Sequence, residues 1–556
     1  MMQIIIPMSG FGERFRRAGY TIPKPLIEVE GKPIIAHVID MFPGESNFLF
    51  VCNADHLSDP EYRMSDILRR YCPSARIVGI LPHKLGPIHA VLEVEKHVDP
   101  LLPTVVNYCD FTCYWDWQHF KKCIAENTYD GIVPAYRGFH PHSLGTTNYA
   151  YIKETNGWIQ DIQEKRPFTN NRMQEYASSG TYYFKSGSLM LDVFRKTMAQ
   201  NLNVNGEYYV SLAYKILLQE RKAVSVYSLQ HFMQWGTPED VCEYKNWSSI
   251  FQRKTQPKNK SIKKDGALIV PLAGLGKRFV EQGYAQTKPL IPVSGKPMVM
   301  QAVGDLPVCK RYCFVIREDM PGFDAVIKTI NTTYPEAIVK IIPHVTQGQA
   351  CTALIGLDAL ESVGEGILGP LTVGVCDSGV QFDHRGFQKT IDNPAVDIVV
   401  WSVRGHPHAA RNPTMYGWID ADQSGRIRRI SVKKPLAKPS SDPIVIGAFT
   451  FKEASNLRRS VDKMIARNGR VNGEFYIDEC INDAVELGLN CYLFEVDNLI
   501  SWGTPDDLKT FEYWQSCFHK WSAHPYSIES DPDIPSEEFD LLASRYTEYS
   551  TFFAST

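Results

Sequence analysis

Residues 4–33 read IIIPMSGFGERFRRAGYTIPKPLIEVEGKP, and residues 268–297 read LIVPLAGLGKRFVEQGYAQTKPLIPVSGKP, with sixteen of thirty positions identical and no gap. Such agreement marks a duplication, and the chain is one unit written twice. A second matched pair closes each copy: Trp235-Gly-Thr-Pro-Glu-Asp240 and Trp502-Gly-Thr-Pro-Asp-Asp507. Gly10 and Gly274 are 264 residues apart, and Trp235 and Trp502 are 267 apart. Each repeat is therefore a whole domain rather than a solenoid unit.

A chain of 556 residues suits two domains of about 250 residues each better than a single core. The expected boundaries are a first domain at 1–252, a basic linker at 253–265, a second domain at 266–515 and an aromatic, acidic extension at 516–556. The linker, RKTQPKNKSIKKD, reads as solvated spacer in preference to a binding tail. The extension reads as either a docking segment or a partly disordered one.

Net charge is −3 and neither half carries a broad basic stripe, so nucleic acid is not an expected partner. No apolar run approaches the roughly 18 residues a membrane span needs, and no signal peptide is recognised. A cytoplasmic protein is expected. Thirteen Cys occur without a Cys-x-x-Cys pair or His partners at zinc spacing, which points to reduced thiols. A homo-oligomer is compatible with the sequence.

Ile4-Ile-Ile-Pro7 and Leu268-Ile-Val-Pro271 are short apolar runs before Gly-rich turns, the pattern of a buried parallel strand leading into a loop. Gly10 and Gly12, like Gly274 and Gly276, leave room for backbone N–H groups to approach anionic oxygens, and a helix is expected from near Phe15 and Phe279. A plain tight turn would use the same glycines. Arg14 and Arg278 add a planar fork suited to phosphate, and Lys24 and Lys288 follow ten residues later on rigid, Pro-bounded segments.

These residues resemble the sugar-phosphate nucleotidyltransferase family, whose signature is Gly-x-Gly-x-Arg followed by Pro-Lys-Pro-Leu. The matches are Gly10-Phe-Gly-Glu-Arg14 with Pro23-Lys-Pro-Leu26, and Gly274-Leu-Gly-Lys-Arg278 with Thr287-Lys-Pro-Leu290. The resemblance covers both copies almost end to end. It implies an α/β fold with two tandem Rossmann-like domains on mixed, mostly parallel sheets. The reaction it implies is attack of a phosphate oxygen on the α-phosphate of an NTP, with pyrophosphate leaving. Arg14 and Arg278 would then hold the triphosphate, and Lys24 and Lys288 would neutralise the reacting phosphates.

That chemistry calls for Mg²⁺ and a carboxylate to hold it. Val105-Val-Asn-Tyr-Cys-Asp110 and Leu371-Thr-Val-Gly-Val-Cys-Asp377 read as apolar strands ending in Asp, which assigns Asp110 and Asp377 to the metal; capping of the next turn is the other use of such an Asp. The family's second acid falls here at Gln234 and Ser501, which lowers expected metal affinity, with Asp497 a nearby substitute in the second copy.

On the acceptor side, Glu207 and Glu474 follow matched Asn-Gly turns and can serve either an acceptor or the first turn of a helix. Glu164-Lys165 resembles the family's Glu-Lys pair, whose Lys grips the acceptor phosphate; the second copy reads Val432-Lys433. Gly180 and Gly447 fall on the next strands, where glycine marks either close ligand approach or a bulge. Gln347-Gly348-Gln349-Ala350 resembles the family's nucleotide-binding Gly-Thr-Ala segment, while the first copy has Leu85-Gly86-Pro87.

The expected function is NMP transfer from an NTP to a phosphorylated small molecule, foremost a sugar 1-phosphate. Two alternatives stand beside it. One is a cytidylyltransferase for a phosphocholine-like or phosphonate head group, with Trp115, Trp117 and Trp158 weighed as a cation cage against a core role. The other is a non-catalytic, regulatory nucleotide-binding role for one half. The first half is the expected seat of full catalysis.

Overall fold

The computed structural model describes residues 2–256, 264–364 and 366–546. Residues 257–263 of the expected linker and 547–556 of the expected extension lie outside the described residues. The chain forms two compact α/β units. The first comprises the described residues up to Ser248 together with Tyr513–Pro525 and those from Leu541 onward; the second comprises Ser249–Glu512 and Tyr526–Asp540.

In the first unit a ten-stranded sheet is built outward from Gln3–Met8. This strand pairs in parallel with Phe48–Asn53 on one side and Thr104–Asn107 on the other, and Arg76–Ile80 extends the parallel set. Ile4, Ile5 and Ile6 are fully buried, as an apolar run must be when helices cover both faces of a parallel sheet. Thr181–Phe184 then runs antiparallel between Thr104–Asn107 and Gly131–Tyr136, and Gly131–Tyr136 pairs in parallel with Val224–Ser228 beyond it, so the sheet is mixed.

The second unit repeats the plan around Lys264–Leu272, parallel to Cys309–Arg317 and Leu371–Val373, with Ile444–Phe451 antiparallel beyond them. In both units a two-stranded ribbon stands apart from the main sheet: Phe111–Tyr114 with His231–Gln234, and Ser378–Gln381 with Asn498–Ser501. Each ribbon joins the segment after Asp110 or Asp377 to the one before Trp-Gly-Thr-Pro.

The described part of the C-terminal stretch is packed. Tyr513 donates its hydroxyl to the Phe232 carbonyl (2.8 Å) and accepts from the Phe232 N–H (2.9 Å). Tyr526 and Ile528 are buried in the second unit, and Lys254, counted in the expected linker, is buried there and ion-paired with Asp533 at 3.2 Å. All thirteen cysteines are unpaired, and ten are buried. No helix among the described residues is long and apolar enough to cross a membrane.

Candidate active site

Each first strand runs into a loop that turns through a left-handed glycine, Gly12 (φ 63°) or Gly276 (φ 62°). The helix that follows starts at Glu13 or Lys277, two residues before the position expected, and is only five residues long with no side-chain cap. So short a helix has little macrodipole, and an anion above this loop would be met by the loop N–H groups and the arginine. A side-chain carbon at Gly10 or Gly274 would meet nothing within 4 Å, which leaves open space above the loop. Arg14 and Arg278 are exposed, and among the described residues neither guanidinium is engaged in a hydrogen bond or ion pair.

Lys24 and Lys288 open short 3₁₀ turns, Lys24–Leu26 and Lys288–Leu290, each after an extended residue, Pro23 or Thr287. Lys24 Nζ meets Asp110 Oδ2 at 2.7 Å, and Lys288 Nζ meets Asp377 Oδ2 at 2.5 Å. Burial pulls both ammonium groups down, but the neighbouring carboxylates outweigh it and hold each lysine above its ordinary pKa. Asp110 and Asp377 lie on bends a few residues past the ends of Thr104–Asn107 and Leu371–Val373, rather than on the strands themselves. Their carbonyls accept from Trp235 and Trp502 N–H (2.8 and 2.9 Å), which locks the acid to the Trp-Gly-Thr-Pro segment.

The positions of the missing second acids are accounted for. Gln234 accepts from the Tyr149 hydroxyl and donates to Asp240 at 2.7 Å; Ser501 donates to Asp507 at 3.2 Å. Asp240 and Asp507 in turn accept from Thr237 and Thr504 and cap the next helices. Asp497, the expected substitute, is ion-paired with Arg253 at 2.6 Å. Among the described residues no three His, Cys, Asp or Glu converge as a metal site. One carboxylate per copy still fits Mg²⁺, because that ion is commonly held by one or two carboxylates with substrate phosphates and water completing its shell.

Glu164 is half-buried at the end of Trp158–Glu164 and accepts from the Ser211 hydroxyl at 2.5 Å. Burial pushes its pKa up to about 7. Lys165 donates to the Tyr209 hydroxyl at 2.5 Å, and Tyr209 donates to Glu207, which makes one continuous chain. Val204-Asn-Gly-Glu207 and Val471-Asn-Gly-Glu474 are two-residue turns with positive φ at Asn and Gly. Glu207 and Glu474 precede the helices Val210–Gln219 and Ile477–Glu486, so the reading of them as first-turn acids is corrected.

Gly180 breaks the strand expected across 176–184, and Gly447 sits opposite a register shift in Ile444–Phe451, so the second is a bulge. Gly86 and Gly348 occupy one role. A side-chain carbon at Gly348 would fall 2.5 Å from the backbone of Phe475, and one at Gly86 would fall 2.7 Å from Tyr208 N. Backbone bonds stitch these loops to the turns bearing Glu474 and Glu207: Phe475 N–H to the Gln347 carbonyl (2.9 Å), and Tyr208 N–H to that of Leu85 (2.9 Å). The Gln347 side chain is itself bonded to Arg470.

In the first unit a single cavity of about 620 Å³ collects Gly10, Gly12, Arg14, Lys24, Asp110, Glu164, Lys165, Gly180 and Glu207. Trp115, Trp117 and Trp158 do not line it; Trp115 and Trp117 pack on Phe42 and Phe120. In the second unit Arg278 lies near enough to oppose the charge of both Lys288 and Lys433, and Glu474 acts on Lys433. Sequence reasoning assigned no role to Tyr149, Tyr209, Ser211, Gly86 or Asp240; Gly86, Tyr209 and Asp240 left a signal, as positions that the second copy repeats at Gly348, Tyr476 and Asp507.

The chain is 25% identical over 237 residues to the bifunctional protein GlmU of Paraburkholderia phymatum, covering 42% of this chain and 48% of that one. It is 33% identical over 216 residues to GlmU of Ralstonia nicotianae, covering 38% and 43%. The chain is similar to these proteins over less than half of its own length. It spans about half the length of the curated relatives it matches. No family model matches the chain. Among solved structures it is similar to a nucleoside-diphosphate-sugar pyrophosphorylase of Vibrio cholerae RC9, at 19% identity, covering 44% of this chain and 98% of that one with a TM-score of 0.36.

Proposed function

We propose that the protein transfers NMP from an NTP to a phosphorylated small molecule, foremost a sugar 1-phosphate, and releases pyrophosphate. The observation that carries this reading is the first unit's cavity, in which a phosphate-shaped fork, a lysine–carboxylate pair and an acceptor-side lysine face one space. The acceptor phosphate oxygen forms a new bond to the α-phosphorus, and the bond from that phosphorus to the bridging oxygen breaks. Arg14 and the loop N–H groups hold the leaving phosphates. Lys24 lies beside the reacting phosphorus and offsets the charge that builds there.

Asp110 and Asp377 would hold Mg²⁺, which supplies charge neutralisation when bound. Lys165 grips the acceptor phosphate, while Glu207 and Tyr209 receive acceptor hydroxyls. The first copy, with its Glu164-Lys165 pair, carries the fuller set. Tyr108, Tyr149 and Tyr182 also line the cavity near two carboxylates, a setting that suits an ammonium head group as well as a polyol. Pyrophosphate release by the full chain, with each NTP against glucose 1-phosphate, N-acetylglucosamine 1-phosphate and phosphocholine, separates these acceptors. Turnover with none of them would overturn the proposal.

A further inference from the structure

Lys165 and Lys433 share an uncommon backbone. Both are left-handed (φ 59° and 60°), and both donate their N–H to a tyrosine carbonyl, Tyr149 at 2.8 Å and Tyr416 at 3.0 Å. A non-glycine residue in this region is strained, and the same strain at matched positions marks a side chain that must be aimed.

The carboxylate beside that lysine changes place between the copies. In the first, the last strand residue is Glu164, its cross-strand partner is Ala150, and the second residue of the nearby helix is Ser211. In the second copy the same three places hold Val432, Gly417 and Asp478. Asp478 lies against Gly417 so closely that a side-chain carbon there would come within 2.4 Å of its Oδ2. Three substitutions thus compensate: the strand loses its acid, the helix gains one, and the facing strand loses a methyl to make room. The charged groups acting on Lys433 are Asp478 and Glu474, which favour its ammonium form, and Arg278, which opposes it; burial lowers its pKa overall.

We propose that Asp478 is the positioning acid of Lys433, giving the second copy the carboxylate–lysine pair that its strand sequence lacks. The inference rests on the nucleotidyl-transfer reading for its purpose, which is to hold a phosphorylated acceptor at a second site.

The test is a pH titration of the Lys433 side chain in the full chain, by NMR of ¹³C-methylated lysines, with the resonance assigned by Lys433→Arg. Asp478→Asn should lower the Lys433 pKa by about one unit or more. The triple variant Gly417→Ala, Val432→Glu, Asp478→Ser rebuilds the first copy's arrangement and should return the value close to wild type. An unmoved pKa in folded Asp478→Asn, or no recovery in the folded triple variant, would overturn the pairing. The titration needs no turnover, so a second site inactive with every substrate would count against the proposed function and leave this result standing.

Discussion

Lys24 and Asp110 are 86 residues apart in sequence and 2.7 Å apart in the fold, and Lys288 and Asp377, 89 residues apart, repeat the pair at 2.5 Å. Neither member is an isolated surface charge. The lysine comes from a 3₁₀ turn after the phosphate loop, and the acid is locked to Trp-Gly-Thr-Pro through its own carbonyl. Three separate segments of each copy thereby meet at one charged point.

Asp110→Asn in the full chain should lower first-site turnover by more than about tenfold, roughly 1.4 kcal/mol in the barrier. It should also lower the Lys24 pKa, because burial then acts on the ammonium without its carboxylate. Steady-state pyrophosphate release across pH checks both effects. Full activity with an unshifted alkaline limb would remove Asp110 from the site.

Gly348→Ala and Gly86→Ala should each destabilise the protein by about 2 kcal/mol or more, since the added carbon meets backbone that cannot swing away and φ is positive at both. Gly10→Ala is the control. Its carbon meets open space, so stability should hold while NTP binding weakens. Thermal unfolding and calorimetric NTP titration of the full chain distinguish the three, and a Gly348→Ala protein as stable as wild type would contradict the packing.

Gly10, Gly12, Arg14 and Lys24 were legible in the sequence because duplication repeats them at fixed spacing while their surroundings differ, and Asp110 because an apolar run ends in Asp in both copies although its spacing shifts by three. Gly86 was half hidden, because it lies 76 residues after Gly10 whereas Gly348 lies 74 after Gly274, so the spacing drifts. Asp478 left no such signal, since it aligns with Ser211 and acquires meaning only once Val432 and Gly417 are seen across the strand pair. Tyr513 was invisible for another reason: its partner Phe232 is 281 residues away, and no local pattern reports so distant a bond.

Glu164 contributes to a pH dependence of stability. Burial raises its pKa from the ordinary 4.5 to about 7, so its contribution is fully present below about pH 4.5 and is lost as pH rises through 7. Glu164→Gln should remove that loss, and the variant's melting temperature should gain on wild type between pH 5 and about 8. A constant difference across the range would place the carboxyl in water.

Tyr513→Phe should cost about 1–3 kcal/mol, because it leaves the buried N–H and carbonyl of Phe232 without the hydroxyl that serves both. Thermal unfolding of the full chain checks it. An unchanged melting profile would show that the C-terminal stretch contributes nothing to the first unit.

The central claim, nucleotidyl transfer at non-equivalent sites, is tested most directly by pyrophosphate release from the full chain carrying Lys24→Ala, Lys288→Ala or both. The account predicts that Lys24→Ala abolishes the main NTP and acceptor activity, that Lys288→Ala spares it, and that the double variant releases no pyrophosphate with any pair. Wild-type release by the double variant would contradict catalysis at these lysines, and equal loss of one and the same activity from either single change would contradict the division between the copies.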